Sequence, residues 1–134
     1  ENEKKHSFEG FCLTINNDGD GGAGISYYQP CKMLLDSHVT ALYPKASMTE
    51  EILKFFSACI TAQREKFGHG YPLNNKFNEK LMQKQSLLLP VDESGNPDYA
   101  FMEQYIKERE RQIVQSYIDY TSENIQMGGE RFRH

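Results

Sequence analysis

Cysteine is scarce in this chain, and its three copies, Cys12, Cys31 and Cys59, share no Cys-x-x-Cys spacing. An odd, scattered set argues against a disulfide framework or a structural zinc site and fits reduced thiols in a cytoplasmic protein. No apolar run approaches a membrane span, and the opening Glu1-Asn2-Glu3-Lys4-Lys5-His6 leads into no secretory-type apolar segment. Internal repeats and low-complexity tracts are also lacking. The four histidines, His6, His38, His69 and His134, have no ligand spacing, and no Ser, Cys or Lys stands in a recognisable nucleophile context. The chain is therefore expected to carry no catalytic residues and no metal of its own.

What is present suits one modest domain: 134 residues, 38% of them hydrophobic and 25% charged. The first residue is not Met and the ending Gly128-Gly129-Glu130-Arg131-Phe132-Arg133-His134 lacks a clear pattern, so a piece of a longer polypeptide is expected. The net charge of -4 is unevenly spread. Residues 1–44 sum to -3 and residues 91–134 to -4, whereas residues 45–90 carry +3, mostly through Arg64, Lys66, Lys76, Lys80 and Lys84. Phosphate binding needs such a local basic zone rather than a basic whole, although a solvated helix face has the same composition.

Aromatic and β-branched residues predict strands at Phe8–Ile15, Ile25–Gln29 and His38–Tyr43, the last two closed by Pro30 and Pro44, and the apolar Met33–Leu35 suggests another short one. Asn16–Gly24 is the first loop. Ser47 and Glu50 have capping-box spacing ahead of a helix that places Met48, Ile52, Phe55, Phe56, Cys59, Ile60 and Gln63 near one face and ends near Phe67. After a loop at Tyr71-Pro72-Leu73, Asn74 could cap a short helix reaching about Gln83. Leu87-Leu88-Leu89-Pro90-Val91 then reads as a buried strand, Ser94-Gly95-Asn96-Pro97 as a turn, and Asp98 as the N-cap of a helix from Tyr99 to about Gln126. Tyr99, Met102, Tyr105, Ile106, Ile113, Val114, Tyr117 and Ile118 form an apolar stripe along it. At 1.5 Å per residue this helix spans about 40 Å, longer than so small a domain covers, so its far end should pack on another chain or segment. The expected fold is α+β: a small twisted mixed β-sheet, one packed helix, and a long C-terminal helix. Residues 1–97 would form the domain, 98–126 the long helix and 127–134 a tail.

Three motifs mislead. Gly19–Gly24 spells G-x-G-x-x-G, but a strand rather than a helix follows, leaving no helix N-terminus for a pyrophosphate. Asn16, Asp18, Asp20 and Gly21 imitate the opening of a calcium loop, yet its closing position is Tyr27. Asn96-Pro97-Asp98-Tyr99 is one residue from an amino-methyltransferase motif, with Asp98 opening a long helix instead.

The order of four pieces carries a resemblance. Gly22–Gln29 looks like a glycine turn followed by Tyr-Gln, and His38-Val39-Thr40-Ala41-Leu42 like a D-V-T-x-L strand with His in the Asp position. Lys66–Leu73 looks like an aromatic-Gly loop. The fourth piece is a Leu-Pro-Val strand, a Gly-x-Pro turn and Asp-aromatic-x-Phe-Met-Glu. Together, from Phe11 to Tyr120, they resemble the target recognition domain of a type I (or type IIB/IIG-like) restriction–modification DNA specificity subunit. The resemblance implies a module that reads double-stranded DNA in the major groove and directs partners: a DNA methyltransferase (modification) subunit or domain and a restriction subunit. S-adenosylmethionine, Mg and, in the type I case, ATP would belong to those partners.

Groove reading needs donors and acceptors on loops. The candidate DNA-binding residues are Tyr27, Tyr28, Gln29 and Lys32 at the second strand, and Arg64, Lys66, His69, Tyr71, Asn74, Lys76 and Lys80 around the glycine loop. Strand alternation puts one of Tyr27 and Tyr28 in the core. The long helix would act as a spacer, with Tyr105, Ile106, Ile113, Tyr117 and Ile118 as an interface able to form a homodimer. Two other classes compete: a non-catalytic assembly module working through that helix, and a small ligand- or metal-binding enzyme domain using the Asn16–Gly24 loop.

Overall fold

The structure, a computed structural model, describes residues 6–18, 22–67 and 79–131. Its strands are β1 (His6–Phe8), β2 (Cys12–Asn16), β3 (Ser26–Gln29), β4 (Met33–Leu35) and β5 (Val39–Leu42). β2 lies in the middle of a three-stranded sheet, paired antiparallel with β3 (Thr14 opposite Tyr27) and with β5 (Thr14 opposite Ala41). β1 and β4 form a separate antiparallel ribbon, with Ser7 opposite Leu34. The α+β class holds, but every described pairing is antiparallel rather than mixed.

The strand expected at Phe8–Ile15 is in fact two strands. Gly10 approaches the backbone of Pro30 and Cys31 so closely that a methyl group there would collide with both. Phe11 then takes φ +61°, in the left-handed region, at a cost of roughly 1 kcal/mol or more for a bulky residue. The reversal sends β1 to one partner and β2 to another. The β2–β3 turn uses glycine as expected: Gly24 has φ +82° and its N–H donates to the Asn16 carbonyl at 2.9 Å.

Helix α1 (Glu50–Ala62) is capped by Thr49, whose hydroxyl accepts from the Ile52 N–H at 3.3 Å, not by Ser47. Thr49 has the extended backbone of an N-cap, and Glu50 and Glu51 sit favourably at the positive helix end. The face toward the sheet is Leu53 and Ile60, which meet Leu13 and Ile15 in the core, with Tyr28, Leu42, Met48, Phe56 and Leu87 around them. The expected face omitted Leu53 and included Phe55. Phe55 instead turns to α4 (Tyr99–Arg131), edge-on to Phe101 and Tyr105 at 6.3 and 5.6 Å. Helix α1 thus has two apolar faces, and a single stripe fitted to it blends them. It ends at Gln63; α2 (Arg64–Phe67) follows, and α3 (Glu79–Met82) is the next described element.

Leu87–Val91 is not a buried strand. Its one bridge pairs Val91 with Pro97, and Leu88 is 69% exposed. What extends it is a side chain: Gln63 Nε2 donates to the Leu88 carbonyl and Gln63 Oε1 accepts from the Leu88 N–H, both at 2.8 Å. One amide does the work of a neighbouring strand. The turn after it follows the sequence reading, with Gly95 at φ +82° and Asp92 Oδ1 accepting from the N–H groups of Ser94 and Asn96 at 2.9 and 3.0 Å. Asp98 caps α4, its carboxylate accepting from the Phe101 N–H at 3.0 Å. α4 extends past Gln126 to Arg131, a run of 33 residues. No described helix is long and apolar enough to cross a membrane.

These placements separate two leucines. Leu53→Ala should cost about 2–5 kcal/mol by opening a core cavity, whereas Leu88→Ala should stay within about 0.5 kcal/mol, as at a surface site. Urea unfolding of both variants measures the difference.

Candidate functional site

β3 is an edge strand, and its outer backbone is guarded from α1. The Ser26 N–H donates to Thr61 Oγ1 at 3.0 Å, and that hydroxyl donates to the Ser26 carbonyl at 3.3 Å. Edge strands otherwise present unpaired backbone groups to any passing chain. Alternation along β3 then divides its two tyrosines. Tyr28 turns to the core, while Tyr27 is 54% exposed on the opposite face. Gln29 lies on the Tyr27 side, but its Nε2 donates to Thr14 Oγ1 at 3.2 Å, so half of the amide is already engaged. Lys32 is exposed and lies 3.6 Å from Glu9, a surface pair worth little in water.

Tyr28 is held by a network that the sequence did not reveal. The Lys54 ammonium stands 5.8 Å over its ring and reaches Glu50 at 3.0 Å and Glu110 at 2.7 Å. The hydrogen bonds that the ammonium donates to Glu110, then to Glu50, push the Lys54 pKa up to about 12. Burial, with the Glu50 carboxylate second, pushes the Tyr28 phenol up. Lys54 therefore ties α1 to α4 and to β3, leaving it poorly placed to serve a phosphate. A basic residue in the net-positive third is here a structural tie. Only the Glu50–Lys54 spacing of i, i+4 was a sequence signal; Glu110 lies far along the chain.

The second group of candidates is only partly described. Arg64 opens α2 and is half-buried, and Lys80 is exposed on α3. Lys66 belongs to α2 by its backbone. His69, Tyr71, Asn74 and Lys76 lie outside the described residues, so their grouping with Arg64 and Lys80 stays an expectation from sequence.

The first loop shows no ion site among the described residues, where no group of three or more His, Cys, Asp or Glu side chains could hold a metal. Asp18 faces His38 Nδ1 at 2.9 Å instead, and Asp20 lies outside the described residues. Strand β3 follows the glycines, as the sequence reading required. Burial raises the pKa of the Cys12 and Cys59 thiols, which disfavours the reactive thiolate.

α4 parts company with the rest of the molecule. Met102 is fully buried, Tyr105 packs on Phe55, and Ile106 is half-buried. Beyond Glu110 the apolar residues Ile113, Val114, Tyr117, Ile118, Tyr120 and Ile125 are all exposed. Isolated surface apolar residues are ordinary, whereas these six follow one another along a single helix.

No protein-family model matches this chain, and no solved structure matches it significantly. It is 35% identical over 112 residues to the Type II restriction enzyme BgcI specificity subunit S.BcgI of Heyndrickxia coagulans, a match that covers 81% of this chain. The chain spans about 30% of the length of that relative.

The Lys54 tie gives a pH test. Its raised value means that its stabilisation is fully present below the free lysine value of about 10.4, and is lost only as pH rises through about 12. Lys54→Met should lower the melting temperature by the same amount at about pH 7 and about pH 9. A gap that closed over that interval would show that the ammonium is not the stabilising group.

Proposed function

We propose that this chain, a homologue of a segment of a restriction-enzyme specificity subunit, is a DNA target recognition module that directs the methyltransferase and endonuclease activities of partner subunits or domains. The observation that carries this reading is the 35% identity sustained over 81% of the chain. The module itself is non-catalytic: it selects the sequence, and S-adenosylmethionine, Mg and ATP, where used, serve the partners. A soluble, cytoplasmic setting goes with that role.

The division of labour follows from the chemistry. Phosphate contacts from Arg64, Lys66, Lys76 and Lys80 supply salt-dependent affinity and position the module on the duplex. Base edges are read by polar and aromatic side chains: Tyr27, Gln29 and Lys32 beside β3, and His69, Tyr71 and Asn74 on the glycine loop. Tyr28, turned to the core, supports its neighbours from behind. The exposed half of α4 serves as a spacer whose row from Ile113 to Ile118 packs on a matching helix of another recognition segment or of a modification subunit. In the chain alone, that row drives a homodimer.

Three measurements test these roles. Lys80→Ala should weaken binding to all duplexes alike and lower the slope of log affinity against log salt by about one. His69→Ala should leave stability within about 0.5 kcal/mol yet shift the sequences recovered from a randomised duplex pool. Failure of the unmodified chain to retain any duplex at low salt would refute the DNA reading. For α4, Ile113→Glu with Ile118→Glu should convert a dimer in sedimentation to a folded monomer. A strictly monomeric unmodified chain at high concentration, with residues 113–125 packed on its own sheet, would refute the spacer role.

A further inference from the structure

Phe11 is a costly residue in an unexpected place. Its φ of +61° belongs to the conformation that glycine or asparagine adopts most easily, and it directly follows Gly10 at a close backbone approach. Its backbone earns its position: the Phe11 N–H donates to the Gln29 carbonyl at 2.7 Å, closing the ladder where β2 begins and β3 ends. That bond would be made by a glycine equally well. The ring is a different matter, because it is not core. It stands edge-on to Tyr28, with centroids 6.1 Å apart, and 47% of the residue remains exposed. Irregular strand positions of this kind commonly re-aim a side chain beside a functional surface.

Its backbone bond places Phe11 beside Gln29, one of the residues proposed above to read base edges. Glu50 and Glu110 are held on Lys54, which stands over the Tyr28 ring. The ring therefore meets solvent at the Gln29 end of β3, beside Tyr28. We infer that Phe11 is a base-contacting residue, its exposed ring edge pressing on apolar base surface of duplex DNA at the end of β3. This rests on the recognition role proposed above and adds to it a residue chosen for its strained backbone and exposed ring. Apolar contact of this type discriminates between bases through the thymine methyl or through the ease of parting a base step.

Glycine at this position separates contact from architecture. Phe11→Gly relieves the backbone and removes the ring, and Phe11→Asn keeps a residue that tolerates the same conformation. In the full chain, both should melt at or above the temperature of the unmodified protein. Their affinity for the duplex that the unmodified chain selects from a randomised pool should fall about tenfold, with relaxed preference at one position of the site. Three outcomes overturn the inference. Unchanged affinity and preference would make the ring a bystander. A large fall in melting temperature, or failure of both variants to fold, would make it structural packing. Retained DNA selection with weakened capture of the modification subunit would place it on a protein interface. If the unmodified chain selects no duplex at all, the recognition role falls, and this inference with it.

Discussion

The packing of Leu53 and Ile60 of α1 against Leu13 and Ile15 of β2 is the contact on which the described structure depends. A three-stranded sheet has too little area to stabilise itself, and α1 supplies the second layer of the core. The same helix then supports what the sheet cannot. Thr61 occupies the outer backbone of β3, Gln63 holds Leu88 extended, Phe55 receives the start of α4, and Lys54 fixes α4 to Tyr28. Side chains on one helix thus stand in for strands that a larger sheet would have provided.

That economy bears on function. Recognition surfaces work when mobile or polar elements are mounted on a rigid frame. Here the frame is α1 with β2, and the exposed groups at its margin are Tyr27, Lys32 and Phe11. α4 begins on this frame through Met102 and Tyr105, then continues for several turns with its apolar residues uncovered. A helix needs no such residues for its own sake in water. Their presence agrees with a chain that spans about 30% of its relative.

Much of this was legible in the sequence because the signals were local. Glycine marked both turns with positive φ, Asp98 marked the start of α4, the aromatic and β-branched runs marked β3 and β5, and the apolar Met33–Leu35 marked β4. The errors came where distant partners decide. The break between β1 and β2 depends on Gly10 meeting Pro30 and Cys31, and the fate of Leu87–Val91 depends on Gln63. An apolar run of strand length looks the same whether a strand or a glutamine lies beside it. Thr49 rather than Ser47 capped α1 because two capping residues stood within one turn and only the entry angle of the chain separates them. For the site, strand alternation separated Tyr27 from Tyr28, whereas the Lys54 network and the exposed Phe11 ring came only from three-dimensional placement.

The most direct measurement is a transplant. This chain would replace the matched 112-residue segment of the Heyndrickxia coagulans specificity subunit, and the DNA sites cut by the reassembled restriction enzyme would be mapped. The expected result is a new target sequence that differs from the parent's in one part. Cleavage confined to the parent's own target would show that this segment does not read DNA.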